Sequence, residues 1–184
     1  MSNETSPIYR DLTPSDVQHL PPIARRIFSE TFAHLFEEQA FADFCDAAYG
    51  AEGTMAADLG DARIQWRVAE AHGEPIGYAK LRPLAAPAPN PSLDALELQQ
   101  IYVLSAWQGK GVANELMQWS ISAAQQRGAS ELYLTVFDHN EKAKRFYRKH
   151  GFSEVGHCTF TLGGRVYDDR VWRRSLVAGN EADR

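Results

Sequence analysis

The sequence has little of what secreted, membrane-spanning or nucleic-acid-binding proteins need. Its two cysteines, Cys45 and Cys158, are too few and too far apart for a disulfide framework or a metal site. It contains no run of about eighteen apolar residues and no apolar segment near Met1. It also lacks a dense Lys/Arg block, and its formal net charge is -5. These absences predict a soluble cytoplasmic protein that binds neither nucleic acid nor membrane.

The length and composition predict one domain. The chain has 184 residues, of which 44% are hydrophobic and 23% charged, enough for one hydrophobic core. We expect a single domain over residues 1–184, with flexible ends at about residues 1–6 and 178–184. The six histidines lie at scattered positions, so no metal is predicted.

The first half of the chain predicts helices and a hairpin. Residues 13–16 (TPSD) combine a capping hydroxyl, a first-turn proline and an acid, which is typical of a helix start. We expect Pro21 and Pro22 to break or restart this helix, and a second helix to lie near residues 36–48. Residues 72–75 (HGEP) favour a turn, so the segments around them predict an antiparallel hairpin.

The second half alternates strands and helices. Apolar residues recur at steps of three and four in two segments, so each predicted helix buries one stripe against a sheet. The predicted strands are residues 95–104, 131–136, 152–161 and 165–176, and the predicted helices are residues 111–127 and 140–150. This order indicates a mixed sheet with helices on its faces.

The most informative segment is a strand followed by a glycine-containing loop that opens a helix. Backbone N–H groups at a helix N-terminus are unpaired and partly positive, and glycines let an anion approach them. The loop residues are Gln108, Gly109, Lys110, Gly111, Val112 and Ala113. The pattern predicts a phosphate or pyrophosphate site.

Three other interpretations of this loop fit less well. A P-loop needs a magnesium-binding hydroxyl after the lysine, but Lys110 is followed by a glycine. A dinucleotide fingerprint needs a third glycine, and Asn114 stands there. A plain helix cap explains the glycines but not the residues around them.

Together the loop and the next helix resemble the GNAT superfamily of acyl-CoA N-acyltransferases. Gln108, Gly111 and Ala113 fill the motif Gln/Arg-x-x-Gly-x-Gly/Ala of that family. The family's second motif is matched, in order, by Asn140, Ala143, Phe146, Tyr147, Gly151 and Phe152. The resemblance extends over residues 95–152. It implies a mixed, mostly antiparallel sheet of about seven strands, with helices on both faces, and acetyl-CoA as co-substrate.

The resemblance also implies roles for individual residues. In similar proteins the strand matching Ile101, Tyr102 and Val103 splays from its neighbour and pairs with the pantetheine arm. Residues 108–113 would hold the pyrophosphate and Asn140 the pantetheine, next to Ala143 and Phe146. Tyr147 matches a tyrosine that protonates the departing thiolate. Phe146 and Tyr147 as core aromatics, and Asn140 as a helix cap only, remain open alternatives.

The acceptor amine must lose a proton before it attacks. An alkyl ammonium has a pKa of about 10.4, so nearly all of it is charged at pH 7. Glu97 is the candidate base, because it matches a position where many family members carry one. A plain surface glutamate is the alternative. No Ser/His/Asp set is evident, which favours direct transfer over an acyl-enzyme.

A softer resemblance concerns the acceptor. Residues 27–32, 96–103 and 160–163, with Asp168, look like the bacterial polyamine (spermidine/spermine) N-acetyltransferase subgroup. A polycation would suit Glu97 and three acidic residues near the second helix, namely Glu37, Glu38 and Asp43. The alternatives are a protein N-terminus, a lysine, an amino acid, an aminoglycoside, or a sensor that binds acetyl-CoA without turnover. Members of the family often form dimers, which leaves a homodimer open.

Overall fold

The structure, a computed structural model, describes residues 6–177. The expectation of flexible ends therefore falls almost wholly outside the described residues. The strands are β1 (Ile8–Asp11), β2 (Gln65–Ala71), β3 (Glu74–Pro83), β4 (Leu96–Val103), β5 (Glu131–Phe137), β6 (Ser153–Leu162) and β7 (Arg165–Ser175). The helices are α1 (Asp16–Phe32), α2 (Glu38–Tyr49), α3 (Thr54–Leu59), α4 (Val112–Gln126) and α5 (Glu141–Lys149). Across the described range, no helix has both the length and the apolar character to cross a membrane.

The seven strands form one sheet in the order β1-β2-β3-β4-β5-β7-β6. Neighbouring strands are antiparallel except for β4 and β5, which are parallel. Helix α4 connects this parallel pair, as a crossover between parallel strands requires. The predicted mixed, mostly antiparallel sheet is confirmed.

Alternation along the strands sends side chains into two main cores. On one face, Leu98 of β4 packs in the same core as Leu116 of α4. On the other face, Tyr78 of β3 shares a core with Leu20 of α1 and Phe41 of α2. Helices α1, α2 and α3 therefore cover one face of the sheet, and α4 and α5 cover the other.

Helix α1 passes through Pro21 and Pro22 without the predicted break. Each proline removes one backbone N–H from the hydrogen-bond ladder of the helix. The prolines lie in the N-terminal half of α1, where Leu20, Ala24 and Ile27 are buried against the sheet. The prediction of a break was wrong because burial of this apolar face outweighs the lost hydrogen bonds.

Asp16 holds β1 against the start of α1. Its side chain is buried, and its two oxygens accept hydrogen bonds from Arg10 Nη1 and Nη2 at 2.7 and 3.0 Å. The Thr13 N–H and hydroxyl also donate to Asp16. Burial opposes ionisation, but the hydrogen bonds from Arg10 and Thr13 outweigh it and hold the pKa of Asp16 below its usual value.

We expect Asp16→Asn to lower the free energy of unfolding by about 2 kcal/mol at pH 7, because Arg10 loses one of its two charged partners and keeps only Glu70. The folded pKa is below the unfolded one, so this contribution is present above about pH 4 and is lost as the pH falls through the folded pKa. Urea unfolding at pH 7 and at a series of pH values below about 4 measures both effects.

Asp11→Asn is the control for this substitution, because the Asp11 side chain is 84% exposed and its pair with Arg67 lies at the surface. The control should change stability little at any pH. Equal effects of the two substitutions would contradict the role of Asp16.

Candidate active site

Strands β4 and β5 are paired only where they begin. Their parallel register is restricted to Leu96 with Leu132 and Glu97 with Tyr133. Beyond these pairs each strand stays bonded to its outer neighbour, β3 or β7, while the inner edges diverge. The splay that the resemblance implies is present, and it leaves backbone N–H and C=O groups free to pair with a ligand.

An extra residue in β4 accompanies the splay. Leu81 of β3 pairs with Leu98, but Lys80 pairs with Gln100, so Gln99 is an added residue on the β4 side. A bulge of this kind bends the strand and increases its twist. Strand β4 therefore turns away from β5 just beyond their last shared pair.

The gap between the strands opens into a cavity of about 810 Å³. The predicted residues that line it are Ile101, Tyr102, Val103, Gln108, Gly109, Ala113, Asn140, Ala143, Phe146 and Tyr147. The predicted residues outside the lining are Glu97, Lys110, Gly111 and Val112, of which Val112 is buried in the core. Two separate motifs of the sequence thus meet at one cavity.

Two glycines give the loop before α4 a backbone shape that other residues rarely adopt. Gly109 has a φ of 76° and Gly111 a φ of 86°, both in the left-handed region. Gly111 is the N-cap residue of α4. A Cβ built at either glycine meets no atom within 4 Å. The unpaired N–H groups at the start of α4 therefore lie beside open space that suits a phosphate group.

Gln108 ties this loop to its surroundings. Its Nε2 donates to the Val103 carbonyl at 3.1 Å, and its Oε1 accepts from Lys142 of α5. Lys110 lies over the ring of Trp107, with 5.0 Å between Nζ and the ring centroid. Two lysines thus place positive charge near the loop, which favours an anionic ligand.

Asn140 caps α5 and also lines the cavity. Its Oδ1 accepts a hydrogen bond from the Ala143 N–H at 3.1 Å. This bond uses the amide oxygen and leaves the Nδ2 donors for another partner. The cap and the ligand-binding hypotheses are therefore compatible. Phe146 and Tyr147 follow at helical spacing and line the cavity from the same helix.

Tyr147 brings a phenol to the cavity. Its ring contacts Phe146 and Phe152, with centroids 5.6 and 6.1 Å apart. Burial, followed by the nearby Tyr102, raises the pKa of Tyr147 above its ordinary value. The hydroxyl therefore stays protonated at neutral pH, the form that an acid catalyst needs.

Glu97 is buried, with 4% of its surface exposed. Its Oε2 accepts hydrogen bonds from the N–H groups of Ala85 and Ala86 at 2.9 and 3.0 Å. These bonds hold the Pro/Ala-rich loop between β3 and β4. The role of Glu97 as base stays a prediction, since its carboxylate has two backbone donors and lies outside the cavity lining.

Phenylalanines that the motifs did not identify line the side of the cavity next to α1 and α2. This aromatic wall consists of Phe28, Phe32, Phe36, Phe44, Phe137 and Phe160. Its rings contact one another, as between Phe28 and Phe44 at 5.3 Å or Phe32 and Phe137 at 6.2 Å. Helical periodicity in the sequence can identify Phe28, Phe32, Phe36 and Phe44 as members of apolar helix faces, but it cannot distinguish a core from a cavity.

Asp169 of β7 is a second feature that the sequence did not reveal. It pairs with Phe137 of β5 and lines the cavity. Its Oδ1 is buried and has no hydrogen-bond partner among the described residues. Burial, followed by the charges of Asp138 and Asp168, raises the pKa of Asp169 from 3.8 to about 6. A perturbed carboxyl group in a cavity is a candidate for proton transfer.

A smaller cavity of about 290 Å³ adjoins the first and shares Phe28, Phe44 and Tyr102 with it. Its charged side chains are Lys80 and Asp58, which form an ion pair. Burial lowers the pKa of Lys80, although Asp58 opposes the shift.

Within residues 6–177, no group of three or more His, Cys, Asp or Glu side chains is placed to hold a metal ion.

Sequence comparisons agree with these features. The model of the acetyltransferase (GNAT) family matches residues 22–152. An uncharacterized N-acetyltransferase of Mycobacterium tuberculosis (strain H37Rv) is 32% identical over 163 residues, which cover 89% of this chain and 99% of that protein. An uncharacterized N-acetyltransferase of Lactobacillus delbrueckii is 25% identical over 162 residues, or 88% of this chain and 93% of that one.

Solved structures share the fold. The PaiA N-acetyltransferase of Thermoplasma acidophilum, in complex with coenzyme A, aligns with a TM-score of 0.74 and 21% identity over 92% of this chain and 99% of its own. The ribosomal-protein-S18-alanine N-acetyltransferase of Escherichia coli aligns with a TM-score of 0.67 and 18% identity over 97% and 99%. On the family match and the relatives' names, the chain belongs to the GNAT family and is an N-acetyltransferase of that type.

Proposed function

We propose that this protein transfers the acetyl group of acetyl-CoA to a primary amine by direct attack of the amine on the thioester. The observation that carries the proposal is the joining of two features in one cavity. The inner edges of β4 and β5 separate there, and the glycine loop at the start of α4 opens onto the same space. A strand edge and a helix N-terminus suit the amide-rich arm and the phosphates of coenzyme A respectively.

Each part of the cavity has a proposed task. The backbone of Ile101, Tyr102 and Val103 pairs with the pantetheine arm, and an N–H of this strand polarises the thioester carbonyl. Residues 108–113 hold the pyrophosphate. Asn140 offers its free Nδ2 donors to the pantetheine. Support for these tasks comes from the free edge of β4, the left-handed glycines and the single hydrogen bond at Asn140 Oδ1.

Tyr147 is the proposed acid that protonates the coenzyme A thiolate as it departs. Its place in the cavity lining supports this role, since a phenol is protonated at neutral pH and can donate to a thiolate beside it. Direct attack is supported by the positions of the cysteines. Neither Cys45 nor Cys158 lines the cavity, so neither thiol is placed to carry the acetyl group.

A polyamine acceptor, favoured by the softer sequence resemblance, would need carboxylates for its additional cations. Of the acidic residues that suggested it, Glu37 caps α2 and Asp43 accepts from the Gln39 side chain. All three acidic residues, Glu37, Glu38 and Asp43, lie outside the cavity lining. The relatives described above are named for other acceptors or for none. Polyamines are therefore tested as acceptors together with simpler amines.

The proposal is tested by following release of the coenzyme A thiol from acetyl-CoA with a panel of amines. The panel contains spermidine, spermine, phenethylamine, free lysine, an N-terminal alanine peptide and an aminoglycoside. Amine-dependent thiol release with at least one member is expected. Tight binding of acetyl-CoA without release for any member would instead favour a sensor.

A further inference from the structure

We propose that Asp169 and the aromatic wall form the acceptor subsite, in which Asp169 receives a primary ammonium carried on an apolar body and takes up its proton. The inference rests on the proposed function, because it assigns the acceptor side of the same cavity. It assigns a base and a substrate class that the sequence motifs do not indicate.

The first support is the position of Asp169. The side chain projects from β7 opposite Phe137 and reaches the cavity on the face of the aromatic wall. Its Oδ1 is buried without a hydrogen-bond partner among residues 6–177. A buried carboxylate oxygen with no donor is unfavourable, and a bound ammonium would supply the missing donor.

The second support is that the other carboxylates near Asp169 either form ion pairs or lie outside the cavity lining. Asp138 is bonded to both Arg170 and Lys144, at 2.8 Å each. Glu30, the other carboxylate in the cavity lining, is paired with Arg26 at 2.9 Å. Asp168 is exposed on the same strand, and it does not line the cavity.

The Cys158 thiol beside Asp169 does not compete for the ammonium. Cys158 of β6 pairs with Asp169 in register, and burial followed by the charge of Asp169 raises the pKa of its thiol, which stays neutral. Phe137 of β5 faces His139 and Phe32, with ring centroids 5.4 and 6.2 Å apart. Asp169 is therefore the acidic group in this part of the cavity that can bind the ammonium.

The third support is the character of the surrounding surface. Six phenylalanines line the wall, and aromatic faces attract an ammonium while their apolar area suits a hydrocarbon body. The adjoining cavity extends this space, but its Lys80 and Asp58 neutralise each other. Among residues 6–177, no second carboxylate without an ion-pair partner lines either cavity, so the site suits one cation on an apolar body better than a polycation.

The proton balance is as follows. An ammonium gives one proton to Asp169, and the resulting neutral amine attacks the thioester carbon. A carbon–nitrogen bond forms and the carbon–sulfur bond breaks. The thiolate takes a proton from Tyr147, which regains one from the nitrogen that became the amide. Asp169 releases its proton to solvent. The products are one amide, one thiol and one proton.

The test compares two acceptors of nearly the same shape. Phenethylamine is an ammonium at pH 7, whereas O-benzylhydroxylamine has an oxygen in place of the carbon beside the nitrogen and is neutral at that pH. The two are assayed for thiol release with the wild-type protein, with Asp169→Asn and with the matched control Asp168→Asn. Only phenethylamine needs a base to become a nucleophile.

We expect Asp169→Asn to lower kcat/KM for phenethylamine by about 100-fold or more, the range typical of a lost acid–base catalyst. The same variant should keep kcat/KM for O-benzylhydroxylamine within about threefold of wild type, which shows that it is folded and binds acetyl-CoA. Asp168→Asn should change neither value by more than about threefold.

Other outcomes overturn the inference. An unchanged rate with phenethylamine in Asp169→Asn, or an equal loss with both acceptors, removes Asp169 as the proton acceptor. Wild-type turnover of spermidine without turnover of phenethylamine removes the substrate class while leaving the proposed function intact. Absence of turnover with every amine removes the proposed function itself.

Discussion

Replacing Gly109 and Gly111 together by alanine is expected to weaken coenzyme A binding about 100-fold. Both glycines have positive φ, and a side chain in that conformation costs roughly 1–2 kcal/mol per residue. The free variant relaxes out of this loop shape, and restoring the shape to bind coenzyme A costs about 3 kcal/mol for the two residues. Each 1.4 kcal/mol is about tenfold in affinity. The new methyl groups would also project into the open space beside the start of α4.

The control for this pair of substitutions is Gly73→Ala with Gly128→Ala. Both control glycines have a φ of 77°, and a Cβ at either one also meets nothing within 4 Å. Gly73 lies in the turn between β2 and β3, and Gly128 follows α4, so neither belongs to the cavity lining or to the loop before α4. Titration calorimetry with coenzyme A should show a loss only for the loop variant. A similar loss in both variants would mean that general backbone strain, and not the phosphate loop, is responsible.

Tyr147→Phe is expected to lower kcat about 100-fold and to leave the Kd for acetyl-CoA within about twofold of wild type. The substitution removes the hydroxyl but keeps the ring that packs on Phe146 and Phe152. A general acid contributes roughly 100-fold or more when it donates a proton in the transition state. The loss should therefore appear in turnover and not in binding.

Tyr133→Phe is the matched control for Tyr147. The Tyr133 hydroxyl is also buried, but it donates to Glu131 at 3.1 Å and does not line the cavity. This control should keep the wild-type kcat even where its stability falls. Full turnover in Tyr147→Phe would exclude the acid role of that residue.

Much of the fold was accessible from the sequence because its signals are local. The strand before the glycine loop and the helix after it were predicted within about two residues, since apolar spacing and glycine positions mark their ends. Helix α3 was missed because its six residues are too few for a helical period to show. Helix α1 was predicted to break at Pro21, but packing of its buried face keeps it continuous.

The coenzyme side of the cavity was also accessible, because its parts lie in two short continuous motifs. The acceptor side was not, because it is assembled across the sheet. Asp169 comes to the cavity through its pairing with Phe137, and that register joins residues far apart in the chain. Glu97 had the favourable motif position, but burial and the N–H groups of Ala85 and Ala86 engage its carboxylate. Neither the strand register that places Asp169 nor the burial of Glu97 can be predicted from the local sequence.

Acetyl transfer to an amine in the gap between β4 and β5 is the activity on which all of these predictions depend. The most direct measurement is mass spectrometry of the amine, together with quantification of the free thiol, in one reaction with acetyl-CoA and the panel amine that turns over fastest. Equal amounts of N-acetylated amine and coenzyme A are expected, formed only when protein is present. Thiol release without N-acetylated product, or acetyl-CoA recovered intact with every amine, would contradict this expectation.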